Sequence, residues 1–142
     1  PSSRGNLVRL LDEHCRKANQ EDSVFSAYDF LYLPMDFQTC SNLGYAFVNF
    51  TSVAAAVGFH RARHESRWGV HNSRKVCEVT PAKIQGLEAL KQQFWNSRFM
   101  CDTEEFLPVV YQPPRDGSSG GNSHGAAVIG RCLGSSPPSR KI

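Results

Sequence analysis

The chain has 142 residues, 40% of them hydrophobic and 20% charged, and a net charge of +3. That composition suits one folded domain with a tail and excludes a uniformly basic polyanion binder. No apolar run approaches the roughly 18 residues of a membrane span, no secretory leader is legible, and five widely spaced cysteines without a CxxC pair argue against a disulfide framework and for a reducing compartment.

The elements follow in chain order. LVRLLDEHC (7–15) sets Leu7, Leu10, Leu11, His14 and Cys15 on one helical stripe, with Asn6 as the expected N-cap. Polar residues 16–26 are expected to form a loop. YDFLYLPM (28–35) alternates and is stopped by Pro34 and Asp36, so it is expected to be a strand, and 37–42 a turn. NLGYAFVNF (42–50) is apolar on both faces of a strand, because Ala46, Val48 and Phe50 point one way and Tyr45 and Phe47 the other. Either both faces are buried or one carries an exposed aromatic surface.

A second helix, VAAAVGFHRAR, starts after Thr51 or Ser52, with Val53, Ala56, Val57 and His60 on its expected inner face. KVCEVT (75–80) is a last short strand, and a third helix over about 84–97 presents Leu87, Leu90 and Phe94. From Pro113 onward Gly, Ser and Pro dominate. Such a segment buries too little apolar surface to offset its ordering entropy, so 113–142 is expected to be a disordered tail behind a domain at 1–112. Charge is uneven: positions 61–98 hold eight Lys or Arg against three acids, whereas 101–116 is acidic.

Residues 43–50, LGYAFVNF, resemble the eight-residue ribonucleoprotein motif of the RNA recognition motif, [KR]-G-[FY]-[GA]-F-V-x-[FY], with Leu43 where a cation is usual. Together with the element order, this implies an α+β, ferredoxin-like split β-α-β fold with an extra C-terminal helix. Beyond the octamer, YDFLYLPMDF, NSRKVCEV, IQGLEAL, CDTEEFLPVV and PPRDG make residues 5–117 similar to plant Mei-two-like proteins of the terminal-ear type. That resemblance implies RNA binding in regulators of development and meiosis, largely nuclear. One departure stands out. The fold's first strand, which carries the second aromatic motif, should precede the first helix, and only PSSRGN stands there. With that strand missing, the three strands 28–35, 43–50 and 75–80 would leave a gap, and PSSRGN is taken as the stub of a longer protein.

The resemblance makes Tyr45 and Phe47 a stacking platform for single-stranded RNA. Tyr32 is a further candidate by parity, and Lys75 and Lys83 flank the last strand where phosphates or base edges are met. Arg61, Arg63 and Arg67 lie on or after the helix behind the sheet and are expected in solvent or as contacts for another protein, not as RNA ligands. His60 and His64 have a metal-compatible spacing but lack companion ligands, and no cofactor is implied. Trp68 is expected in the core, while Trp95 and Phe99 could be core or a partner-facing patch. No nucleophile motif, phosphate loop or paired-acid signature supports an enzyme. The alternative to RNA binding is a protein-interaction module whose platform lies under the third helix.

Overall fold

A computed structural model describes residues 4–21, 24–36, 38–39, 41–64, 66–67, 76–101, 103–118 and 125–133. In chain order the elements are α1 (Arg4–Glu21), β1 (Tyr28–Tyr32), β2 (Met35–Asp36), β3 (Ser41–Asn42), β4 (Phe47–Phe50), α2 (Val53–Arg63), β5 (Ser66–Arg67), β6 (Val76–Cys77), α3 (Leu87–Phe94), β7 (Arg98–Phe99), a 3-10 turn (Glu104–Phe106), β8 (Val109–Arg115), β9 (Ala126–Val128) and β10 (Arg131–Cys132). The main antiparallel sheet runs β4-β1-β8-β9. Three two-stranded pairs, β2 with β3, β5 with β6 and β7 with β10, surround it.

The sheet separates two cores. On one face Leu7, Leu11 and Cys15 of α1 and Phe59 of α2 pack on Tyr28, Leu31, Leu33, Val109 and Tyr111, with Ala46, Val48 and Phe50 against them. On the other, Leu90, Phe99, Cys101, Leu107 and Ile129 cover Phe30, Tyr32 and Val110. Period-two alternation alone would give Tyr28 and Phe30 the same face. The ladder instead shifts register between them, and this bulge turns Tyr28 toward α1. There its hydroxyl donates to Asp12 Oδ1 at 2.7 Å.

Four expectations are corrected. The first helix runs from Arg4 to Glu21, so it takes in residues 16–21 of the expected loop, and Asn6 lies inside it with its side chain accepting from Arg9. In α2 the inner face carries Ala55 and Phe59, while Val53 is 81% exposed and Ala56, Val57 and His60 are exposed as well. The run VAAAVGF is apolar all round, so periodicity could not choose a face; the bulk of Phe59, at 5.1 Å from Phe50 and 5.0 Å from His14, does. Ser52 is the cap, its hydroxyl accepting from Ala55 N.

Third, the expected last strand lies apart from the sheet. Val76–Cys77 pairs with Ser66–Arg67 and not with the main sheet. The place beside β1 is taken by β8, which pairs antiparallel through Phe30↔Val110 and Leu31↔Val109. Strand 28–32 is thereby internal, and β4 has β1 as its one neighbour among the described residues.

Fourth, part of the expected tail is strand. β8 runs through Pro113 and Pro114 to Arg115, and β9 pairs with it through Val109↔Val128, Val110↔Ala127 and Tyr111↔Ala126. Prolines cannot donate to a ladder, and the β1–β8 register accordingly skips from Val110 to Arg115. Beyond that skip the chain docks on α1. Arg115 pairs with Asp12, Asn19 Nδ2 donates to Asp116 O at 3.1 Å, and Gly117, at φ +87, passes so close that a Cβ would lie 2.3 Å from Asp12 O. A Gly- and Pro-rich composition can mark a tight approach as well as a chain without structure. Residues 119–124 and 134–142 lie outside the described residues.

Candidate nucleic-acid interface

The sheet face opposite α1 and α2 carries the octamer's aromatic side chains. β4 presents Phe47 there, and Tyr45 stands just before it, after a turn in which Gly44 adopts φ +92 and its N–H donates to Asn42 Oδ1 at 2.9 Å. That positive φ is the reason for glycine at 44. Tyr45 is 53% exposed, its ring edge-on to Phe47 at 5.7 Å. Phe47 is half-buried and stacks on Tyr32 at 6.2 Å with planes 12° apart.

Tyr32 has the expected parity but little free surface. Only 9% of it is exposed, because Phe94 of α3 meets its ring at 5.0 Å and Phe99 at 5.6 Å. Burial pushes its hydroxyl pKa up, so the ring is neutral at any physiological pH. Phe30 is fully buried, with Phe94 stacked on it at 5.9 Å. The third helix thus covers the β1 half of this face and leaves the Tyr45 end open.

Of the two lysines, Lys83 is exposed on the segment between β6 and α3, and Lys75 lies outside the described residues. Leu43, in the cation's usual place, is exposed. Arg61 is exposed on α2, on the far side of the sheet, and Arg63 is half-buried. His60 and His64 stack at 4.5 Å, but His64 Nδ1 accepts the Val79 N–H at 2.9 Å. No group of three potential metal ligands stands together among the described residues.

Trp68 lies outside the described residues. Trp95 and Phe99 part company: Phe99 is core, and Trp95 is 61% exposed at the end of α3. Phe94 is the residue whose importance for the interface the sequence understated. Its helical spacing with Leu87 and Leu90 is visible in the sequence, but not that it covers Phe30 and Tyr32 while leaving Tyr45 exposed.

Residues 8–95 match the family described as RNA recognition motif 2. The chain is 54% identical over 119 residues to the protein terminal ear1 homolog of Oryza sativa subsp. indica, and 52% identical over 117 residues to protein terminal ear1 of Zea mays. Each alignment covers 78% of this chain and 18% of the relative. With protein MEI2-like 7 of Oryza sativa subsp. japonica the identity is 40% over 152 residues, covering 99% of this chain and 39% of the relative. The chain therefore spans well under half the length of these relatives.

Proposed function

The chain belongs to the RNA recognition motif 2 family, and from that premise we propose that it is the single-stranded RNA-binding module of a Mei2-like developmental or meiotic regulator. The observation that carries the reading is the half-exposed Tyr45 ring, set edge-on to Phe47 on the face that α1 and α2 leave free. A base laid on Tyr45 gains about 1–3 kcal/mol from stacking, with tolerance for sequence because every base has a π-face. Phe47 supports that ring from below and is itself held by Tyr32. Exposed Lys83 supplies a cation for the backbone of the strand.

A second reading has its own observation. Phe94 covers Phe30 and Tyr32, which reduces the open platform to one end. On that reading α3 caps the sheet and the module binds a protein partner.

RNA titration separates the two. Tyr45→Ala should weaken binding of a single-stranded RNA by about 1–3 kcal/mol while the melting temperature stays put, because the ring is largely in solvent. Phe47→Ala should cost affinity and stability together. Unchanged affinity in a folded Tyr45→Ala protein would sink the stacking reading, and a wild-type chain with no affinity for RNA would favour the protein partner.

A further inference from the structure

After α3 the chain turns, with Ser97 N donating to Phe94 O, and enters a two-residue parallel ladder in which Arg98 stands beside Arg131 and Phe99 beside Cys132. The turn is held tightly. Arg131 N donates to Ser97 O at 2.9 Å, and Gly130, at φ +86, passes so close that a Cβ would sit 2.6 Å from the Phe99 ring. Both arginines are exposed, and neither has an ion-pair partner among the described residues. Like charges directly opposite one another on neighbouring strands repel. An anion between them would relieve that repulsion.

Beside the pair is a cleft of about 230 Å³ lined by Trp95, Asn96, Val128, Ile129, Gly130 and Arg131, with no acid among them. The indole of Trp95 is largely in solvent at its rim. A flat aromatic surface, an amide that both donates and accepts, and two guanidinium groups suited to a phosphate fit one chemical class, the nucleotide.

We propose that this cleft is a second RNA contact, holding one nucleotide with its base on Trp95 and its phosphate between Arg98 and Arg131. The inference rests on the RNA-binding reading above and adds a site away from the octamer. The two sites are linked by ring contacts: Tyr45 meets Phe47, Phe47 stacks on Tyr32, and Tyr32 meets Phe94, the residue before Trp95. A strand leaving Tyr45 crosses the covered part of the sheet over α3 and reaches Trp95. The covering helix then carries part of the interface.

The test is fluorescence anisotropy of a labelled random-sequence single-stranded RNA with the full chain and three variants, together with tryptophan emission in a fourth. Trp95→Ala should weaken binding about fivefold to a hundredfold, as removal of a stacking ring does. Arg98→Gln with Arg131→Gln should flatten the slope of log affinity against log salt by about 0.7 for each phosphate no longer neutralised. In a Trp68→Phe background, Trp95 emission should fall on adding RNA and level off where the anisotropy does. Wild-type affinity in Trp95→Ala, or emission unmoved by RNA, overturns this site. Tyr45→Ala is the third variant: if it alone weakens binding, the octamer reading stands without the second site. If the wild-type chain binds no RNA, the RNA reading itself falls.

Discussion

Arg115 grips Asp12 with two hydrogen bonds, Nη2 to Oδ2 at 2.6 Å and Nε to Oδ1 at 3.1 Å, across 103 residues of sequence. The two side chains are only 14% and 13% exposed, and Tyr28 adds its hydroxyl to the same carboxylate. Removing one member leaves a largely desolvated charge without its partner, which costs about 3–5 kcal/mol in a fully buried pair. Arg115→Ala and Asp12→Asn should each lower stability by about 2–4 kcal/mol. Chemical denaturation checks this; a loss below about 0.5 kcal/mol would mean the pair behaves like a surface bridge.

His14 predicts a dependence on pH. Its ring is buried against Phe59 and its Nε2 has no hydrogen-bond partner among the described residues. Burial first, and the Arg63 charge second, lower its pKa from the ordinary 6.5. A proton then binds the unfolded chain more readily than the folded one. The contribution of neutral His14 to stability is therefore complete above pH 6.5 and is lost as pH falls from there through the lowered folded value. Melting curves between pH 7.5 and about 5 should fall for the wild type and fall less for His14→Leu. Equal slopes would show that other groups set the acid response.

Residues 125–133 should prove part of the folded body. Ile129 is buried, Val128 touches both cores, and Ile129 N donates to Pro108 O at 3.0 Å. Ile129→Ala should cost about 2–4 kcal/mol as a large-to-small core change. Truncation after Ser118 should lower the melting temperature clearly, because it removes β9, β10 and the buried Ile129. An unaffected melting temperature after that truncation would show that β9 contributes nothing.

Phe94→Ala should uncover the β1 end of the aromatic face. Phe94 is half-buried but contacts Phe30, Tyr32 and Phe99. The variant should lose about 1–3 kcal/mol, less than a fully buried phenylalanine, and Tyr32 should become accessible to chemical modification with tetranitromethane. Unchanged protection of Tyr32 would mean that Phe99 alone covers it.

Much of the site was legible because it is local. Over 45–50 the alternation of Tyr45 and Phe47 with Ala46, Val48 and Phe50 fixes the faces without reference to any other element, and Phe47 packs on one side of the sheet with Ala46, Val48 and Phe50 on the other. Leu31 and Leu33 against Tyr32 read the same way. Long-range partners were not legible. Nothing in KVCEVT says that it pairs with Ser66–Arg67 in preference to the sheet, because edge and centre strands share the same short alternating pattern. Arg131 sits in a Gly- and Ser-rich stretch that reads as tail, and only the parallel ladder with Arg98 gives it a neighbour. The face of α2 failed for a different reason, since seven apolar residues in a row carry no phase.

The position of β8 has a consequence for how the molecule comes together. β1 lies between β4, which follows it closely, and β8, which pairs with it from far along the chain. α1 is likewise tied to the C-terminal part, by Arg115 on Asp12 and by Arg4 Nη1 on Leu107 O, each across 103 residues. Contacts of such separation slow folding, because the loop entropy is lost before the contacts form. During synthesis β1 and β4 can meet early, but Phe30 and Tyr32 stay uncovered until α3 and β8 have emerged. The nascent module passes through a stage with its aromatic face bare, open to aggregation or to a chaperone, and the last third of the domain closes it.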